Sequence, residues 1–275
     1  MLGAVFAFSL MAIAGRAVSF ELDTFEIMMY RSIIGLIAVL CISSLSGTLR
    51  EITTRNLRLQ VVRNISHFAA QNLWFFALPL IPLAQLFALE FTSPIWVLML
   101  SPLLLSERLT IIRVVAAVTG FIGVVIVTQP GSANALNIGT IAAAVAAIGF
   151  ACSIIFTKML TRHESLTCIL LWMTLLQSIF GVICAGYDGD ITALSASTLP
   201  WLTVIAFCGL TAHFCLTKAV SMAPATVVVP VDFLRLPLIA LIGFWFYQEP
   251  LSYPVILGAA IIFAANYLNL WNETK

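Results

Sequence analysis

Long apolar runs alternate with short polar connections along the whole chain. A helix needs about 20 apolar residues to cross the hydrocarbon core of a bilayer. Ten runs of roughly that length predict ten membrane-spanning helices, at 2–20, 27–46, 59–79, 83–104, 110–128, 138–158, 167–186, 199–218, 226–247 and 253–271. No connection is long enough to hold a soluble domain. The pattern therefore predicts an all-α membrane protein.

Composition strengthens this prediction and removes several function classes. The chain is 61% hydrophobic and only 9% charged, whereas a typical soluble domain carries about 25% charged residues. Its net charge of +1 gives no electrostatic basis for nucleic-acid binding. The six cysteines form no CxxC pair, so we predict neither a disulfide framework nor a metal site.

Charges in the connections orient the predicted bundle. If the N-terminus is cytoplasmic, the cytoplasmic connections hold ten basic residues: Arg50, Arg55, Arg58, Arg63, Arg108, Arg113, Lys158, Arg162, Lys218 and Lys275. The opposite connections hold acidic residues instead: Glu21, Asp23, Glu26, Asp188, Asp190 and Glu249. Because basic residues favour the cytoplasmic side, we predict that both termini are cytoplasmic, most simply in a bacterial inner membrane.

The two halves of the sequence resemble each other. A shift of 142 positions superposes four pairs, Pro82 with Pro224, Glu90 with Asp232, Phe91 with Phe233 and Glu107 with Glu249. Each half holds five spans, an odd number, so the second half must enter the membrane from the opposite side. We predict two inverted five-helix repeats, at 1–130 and 137–272, with a substrate site between them near the midplane.

Short motifs follow one another from Arg63 to Gly131 and recur more weakly in the second half. They are WFFAL at 74–78, IPLA at 81–84, Pro94, ERL at 107–109, GFIGV at 120–124 and PG at 130–131, then KAV at 218–220, APA at 223–225, Pro237, EPL at 249–251 and Gly258. Their order and duplication resemble the EamA-type domain of the drug/metabolite transporter superfamily. The resemblance implies a ten-helix carrier of small organic solutes. It is strongest to the branch that holds riboflavin and S-adenosylmethionine carriers, while other members export amino acids, other metabolites or metallophores.

Five ionisable residues lie at membrane depth, where a charge is costly and usually functional or paired: Arg16, Arg31, Glu90, Asp232 and Arg235. The two carboxylates occupy equivalent repeat positions, so both are predicted to face a central cavity and to bind a cationic substrate group or a coupling proton. The arginines would then bind a carboxylate or phosphate. Closed ion pairs that only hold helices together are the alternative, with Arg235 pairing Asp232 and Arg16 or Arg31 pairing Glu90.

Polar and aromatic residues complete the candidate substrate site. His67 and Gln71 belong to a polar stripe on the third helix, and Trp74 lies beside it. Such a stripe cannot face lipid, so it lines a cavity or bonds to neighbouring helices. Phe91 and Phe233 each follow a repeat-equivalent carboxylate, and aromatic rings can stack a flat ligand or bind a cation.

The sequence lacks nucleotide-binding and hydrolase motifs. We therefore predict a secondary transporter of a small polar metabolite (an amino acid derivative, an S-adenosylmethionine-like compound, a metallophore or a flavin) that works by alternating access, coupled to protons or exchange. No enzymatic activity, catalytic residue, metal or cofactor is predicted. The partners are the solute and the bilayer. The alternatives are a membrane-embedded enzyme and a non-transporting helical subunit.

Small residues recur every four positions in the sixth span, at Gly139, Ala143, Ala147 and Ala151. Such a ridge lets helices approach closely. It predicts either an intramolecular seam or the face of a homodimer.

Overall fold

A computed structural model describes residues 1–105, 110–128, 137–187, 189–223, 228, 232, 235–249 and 252–273. Its α-helices are α1 (Leu2–Val18), α2 (Thr24–Leu45), α3 (Leu57–Ala77), α4 (Leu83–Glu90), α5 (Ser93–Leu104), α6 (Ile111–Thr128), α7 (Ile138–Leu160), α8 (Leu166–Ala185), α9 (Thr198–Met222), α10 (Arg235–Tyr247) and α11 (Tyr253–Glu273). A short 3-10 helix, Thr48–Glu51, lies between α2 and α3.

The helices confirm the predicted all-helical membrane fold. Among the described residues, five segments are long and apolar enough to cross a bilayer, judged by length and composition: α2, α4 together with α5, α7, α8 and α9. The predicted fourth span, 83–104, is one such segment, but its helix is broken after Glu90. Of the predicted ninth span, 226–247, the C-terminal part is α10, and most of the preceding part lies outside the described residues.

The pairing of helices follows an inverted repeat. The most extensive contacts join α1 to α9, α3 to α7, α2 to α8 and α6 to α11. In the second half, α7 is the equivalent of α1 and α9 is the equivalent of α3, so the α1–α9 pair corresponds to the α3–α7 pair. The equivalents of α2 and α6 are α8 and α11, so the remaining two pairs each join a helix to its own equivalent. This pairing shows a two-fold relation between the halves. Because each half holds five spans, an odd number, the fold is two inverted five-helix repeats.

The connections on each face of the bundle meet as the predicted topology requires. At one face, the Glu164 carboxylate accepts hydrogen bonds from Thr53 Oγ1 at 2.7 Å and from Asn56 Nδ2 at 2.6 Å. At the other, the Thr192 amide donates to Glu26 Oε1 at 2.6 Å. The α2–α3 and α7–α8 connections therefore share one face, and the α8–α9 connection lies on the face where α2 begins.

The ridge of small residues is an internal seam. Ala143, Ala147 and Ala151 are almost fully buried within the chain. A Cβ atom added at Gly139 would come within 2.8 Å of Leu80 Cβ. Since α7 packs along α3, this ridge is not a free surface. A homodimer remains a prediction, but the ridge is not evidence for it.

The α2–α8 interface offers a direct test of packing through two glycines. A Cβ atom at Gly181 would lie 2.7 Å from the Met29 Cα, whereas one at Gly35 would first meet Thr174 Cγ2 at 3.4 Å, an ordinary contact. We expect Gly181→Ala to destabilise the protein, because overpacking against backbone costs about 1–3 kcal/mol. Gly35→Ala is the matched control and should be neutral or stabilising, since alanine favours helix. Melting temperatures of the detergent-purified variants check this, and equal values would contradict the packing of α2 on α8.

Candidate functional site

A cavity lies in the centre of the bundle, between the two halves. Its described lining comes from α1, α3, α5, α7, α9 and α10, with Glu90 and Phe91 at the break between α4 and α5 and Asp232 three residues before α10: Phe8, Met11, Arg63, His67, Gln71, Trp74, Glu90, Phe91, Ser93, Pro94, Phe150, Ser153, Ile154, Thr157, His213, Leu216, Thr217, Asp232 and Arg235. Seven of the ten predicted substrate-binding residues are in this set. The other three are Arg16 and Arg31, which the structure places elsewhere, and Phe233, which lies outside the described residues.

One end of the cavity holds an ionic cluster that joins the two halves. The Arg235 Nη2 group donates to Glu90 Oε1 at 2.6 Å and to Asp232 Oδ2 at 2.5 Å. Trp74 Nε1 donates to Glu90 Oε2 at 2.6 Å. With both carboxylates ionised, these groups carry one net negative charge. The predicted Asp232–Arg235 pair is therefore present, but the partner of Glu90 is Arg235 rather than Arg16 or Arg31.

Aromatic rings enclose the guanidinium of Arg235. Its Cζ atom lies 4.8 Å from the ring centres of Phe8 and Phe87 and 5.3 Å from that of Phe91. Contacts of this kind stabilise a cation that has left water. Arg235 is consequently held in place, and Phe91 both packs against it and lines the cavity.

Glu90 lies at a helix break, and Asp232 lies three residues before a helix begins. Helix α4 ends at Glu90, whose carbonyl accepts a hydrogen bond from Ser93 Oγ at 2.5 Å as α5 begins. Pro94 lies in the first turn of α5, where the missing N–H of proline costs nothing. In the second half, α10 begins at Arg235, three residues after Asp232, as α5 begins three residues after Glu90. Each carboxylate therefore lies where a span is interrupted or begins.

The polar stripe of α3 runs along the cavity toward its other end. Arg63, His67, Gln71 and Trp74 follow one another at spacings of four, four and three residues, so they share one face of the helix. At 1.5 Å per residue, Arg63 and Trp74 are about 16 Å apart along the axis. The stripe thus connects the ionic cluster to a second polar region.

Arg63 is a cavity residue that the sequence prediction placed wrongly in a cytoplasmic connection. It lies in the second turn of α3 and is only 2% exposed. Its Nε atom donates to Thr157 Oγ1 at 3.1 Å, and its Nη1 atom donates to Asn64 Oδ1 at 2.9 Å. The signal that could have found it is its place four residues before His67 on the same helix face.

Two imidazoles stand beside Arg63. The rings of His67 and His213 are 4.6 Å apart and nearly perpendicular. The Nε2 atom of each has no hydrogen-bond partner among the described residues. Both residues line the cavity, and the Nε2 atom of each is buried.

Arg31 does not face the central cavity. It is 5% exposed and borders a separate, smaller cavity between α2, α8 and α9, which Thr174 and Gln177 also line. Its Nη1 atom has no partner within the described part of the chain. The expected pairing with Glu90 is wrong because α2 packs on α8 and not on α4.

Arg16 belongs to a contact at one end of the cavity, which we call the first closure (Arg16, Leu78, Ile81 and Glu249). Its guanidinium pairs with the Glu249 carboxylate and donates to the carbonyls of Leu78, at 2.6 Å, and Ile81, at 2.7 Å. Glu249 also accepts a hydrogen bond from the Leu83 amide at 2.8 Å. Arg16 therefore ties α1 to the α3–α4 connection and to the second half.

An equivalent contact, the second closure (Lys158, Val220 and Ala223), lies in the other half. The Lys158 ammonium near the end of α7 donates to the carbonyls of Val220 at 2.6 Å and Ala223 at 2.9 Å. All three positions are 142 residues beyond their counterparts in the first closure. Glu107, the counterpart of Glu249, lies outside the described residues. The inverted repeat thus places related contacts at opposite ends of the bundle.

Comparison with known proteins agrees with this duplicated architecture. The sequence pattern of the EamA-like transporter family matches residues 1–129 and again 137–271. The chain belongs to the EamA-like transporter family. This EamA-like protein also shares its fold with a chain of known crystal structure, at a TM-score of 0.76 and 15% identity over 98% of this chain and 95% of that one.

Named relatives of this EamA-like protein are bacterial transporters. It is 31% identical over 244 residues to a riboflavin transporter of Brucella anthropi, covering 86% of this chain and 84% of that one. A riboflavin transporter of Vibrio cholerae is 28% identical, covering 94% and 87%. An S-adenosylmethionine uptake transporter of Rickettsia bellii is 26% identical, covering 93% and 86%.

Proposed function

We propose that this protein is a secondary carrier that moves a small polar metabolite with a flat ring system across a bacterial inner membrane by alternating access. The observation that carries the proposal is a central cavity between the halves of a transporter-family fold, lined by charged and aromatic side chains. Relatives named for riboflavin and S-adenosylmethionine transport support the class of solute.

The related closures support the alternating part of this mechanism. Each joins a cation near the end of a repeat's first helix to carbonyls at the end of the same repeat's third. We infer that the halves 1–130 and 137–272 rock against each other, so that one closure opens while the other holds. Inverted repeats in transporters commonly work in this way.

Substrate contacts follow from the lining of the cavity. Glu90 and Asp232 would bind a cationic group or a coupling proton, because they lie at the interface of the moving halves and bring excess negative charge. Trp74 and Phe91 would pack on the ring. Gln71 and His67 would bond to its polar edge, and Arg235 would hold both carboxylates or release one to the solute.

Transport in proteoliposomes tests the function directly. Purified protein should carry labelled riboflavin or S-adenosylmethionine down a gradient, and an excess of the unlabelled solute should inhibit. Protein-free liposomes are the control. A solute that stabilises the protein against heat without crossing the membrane would contradict the carrier and favour a binding subunit. Conversion of the solute would favour an enzyme.

The orientation has its own prediction. We expect a cysteine at position 50 or 163 to react with an impermeant thiol reagent only from the cytoplasmic side, and one at position 196 only from the outside. The wild-type residues Arg50, His163 and Ala196 are exposed, and the basic connections favour the cytoplasm. Labelling of intact and opened cells that carry single cysteines on a cysteine-free background checks this. The opposite pattern would reverse the topology.

A further inference from the structure

The end of the cavity opposite the ionic cluster contains buried positive charge that no described residue neutralises. Among the described residues, the membrane-buried arginines Arg16 and Arg235 are paired with carboxylates. Arg31 and Arg63 are equally buried, yet no described carboxylate pairs with either. The same protein therefore neutralises one set of arginines and leaves another open.

Arg63 is the member that faces the cavity. Its hydrogen-bond partners, Thr157 and Asn64, are both neutral. They use the Nε and Nη1 atoms, and no described residue accepts a hydrogen bond from Nη2. The guanidinium is thus oriented by protein contacts while part of its donor edge stays available at the cavity wall.

Arg31 adds a second positive charge, from the smaller cavity next to the central one. It shares the smaller cavity with Gln177, whose Nε2 atom donates to Asn64 Oδ1 at 3.3 Å. That same oxygen accepts from Arg63. Arg63 and Gln177 therefore share the Asn64 side chain, and Arg31 lies beside Gln177 in the smaller cavity. Both arginines lie within electrostatic range of His213.

Uncompensated charges in a membrane protein are costly and are kept where they serve a ligand or a pathway. We propose that this end of the cavity binds an anionic oxygen group, a carboxylate or a phosphate, of the transported solute. Arg63 donates to it, the side chains of His67 and His213 form part of the surrounding wall, and Arg31 contributes long-range attraction. The identification of the bound anion as part of the solute rests on the proposed function.

The distance to the ionic cluster defines the rest of the solute. Arg63 and Trp74 are about 16 Å apart along α3. The far end, at Trp74 and Glu90, is aromatic and holds two carboxylates, Glu90 and Asp232, that share one arginine. The preferred solute is therefore elongated, with an anionic group at one end and a flat ring or a cationic group at the other.

Binding of simple anions provides the first test. The melting temperature of the detergent-purified protein is measured at constant ionic strength while inorganic phosphate or acetate replaces a bulky inert anion. We expect a saturable increase in wild type, because a ligand that binds the folded state stabilises it. In Arg63→Gln the half-saturating concentration should rise at least about tenfold, which is about 1.4 kcal/mol of binding free energy. Arg50→Gln, which removes an exposed arginine, should behave as wild type.

Matched pairs of solutes provide the second test and separate phosphate from carboxylate. Flavin mononucleotide differs from riboflavin by a phosphate, and S-adenosylmethionine differs from its decarboxylated form by a carboxylate. In one pair, we expect wild type to bind the member that carries the additional phosphate or carboxylate at least about tenfold more tightly, a difference of about 1.4 kcal/mol. Arg63→Gln should abolish that difference. The pair that responds identifies the group.

Several outcomes would overturn the site. An equal response of wild type and Arg63→Gln to phosphate and acetate is one. Anion binding without any preference within either pair is another, because the site would then hold a free anion and not the solute. If Arg63→Gln does not fold, Arg63→Lys and Thr157→Val replace it, and unchanged anion affinity in both refutes the role. If anion binding depends on Arg63 but the protein transports no solute, the anion site is supported and the carrier function is refuted.

Discussion

Replacing Glu90 by glutamine is expected to abolish transport while membrane insertion remains intact. The substitution keeps the size of the side chain but removes the charge that binds Arg235 across the two halves. Glu90 is one of the two carboxylates that we propose to bind the cationic group or coupling proton, so the rate of solute uptake should fall at least about a hundredfold, which is about 2.8 kcal/mol. Asp232→Asn should have a similar effect, because Asp232 shares the same guanidinium. Uptake into proteoliposomes measures both.

The exposed carboxylate Glu51 provides the matched control for these variants. Glu51→Gln removes the same charge from the surface and should transport as wild type. Size-exclusion profiles in detergent separate loss of transport from loss of folding. Normal uptake by both Glu90→Gln and Asp232→Asn would refute a shared site between the repeats.

Replacing Glu249 by glutamine is expected to open the first closure. The Glu249 carboxylate is the charge partner of Arg16 and also accepts the Leu83 amide. Without its charge, the end of the bundle that holds Arg16 should open more often. A cysteine at position 93, where Ser93 lines the cavity and is 5% exposed in wild type, should then react several-fold faster with an impermeant reagent applied from the outside.

The neighbouring residue provides the comparison for Glu249. Gln248 is exposed and has a φ of 54°, a conformation that asparagine tolerates. Gln248→Asn should therefore leave the labelling rate at position 93 unchanged. Faster labelling from the cytoplasmic side in Glu249→Gln, or no change from either side, would show that the first closure does not gate the outer end.

The meeting of Glu90 and Asp232 could be predicted because it follows from symmetry. Two positions that are equivalent in inverted repeats approach each other when they lie near the axis, and the sequence shift of 142 already pairs them. The apolar runs likewise predict the helices to within a few residues. The exceptions are the end of α4 and the ninth span, most of whose first part lies outside the described residues. Pro94 indicates an irregularity in that span, but the position of the break depends on the hydrogen bond from Ser93 to the Glu90 carbonyl.

The roles of the arginines could not be predicted, because they depend on which helices pack together. Hydropathy places Arg63 near a helix end, where a side chain can reach water as easily as a cavity. Only the packing of α3 on α7 turns it toward Thr157. In the same way, Arg16 pairs with Glu249, which is 233 positions away in the sequence, because the two repeats contact each other at the first closure.

The polar stripe of α3 has a consequence for selectivity. Arg63 and Trp74 belong to one continuous helix, so a rigid-body movement of the repeats leaves their separation unchanged. The contacts between Arg235 and Glu90 cross the interface and change with every movement. The maximum length of a transported molecule is therefore the same whether the cavity opens to the outside or to the cytoplasm. The affinity for that molecule can differ between these two states. Analogues that are too long should be rejected equally in uptake and in efflux.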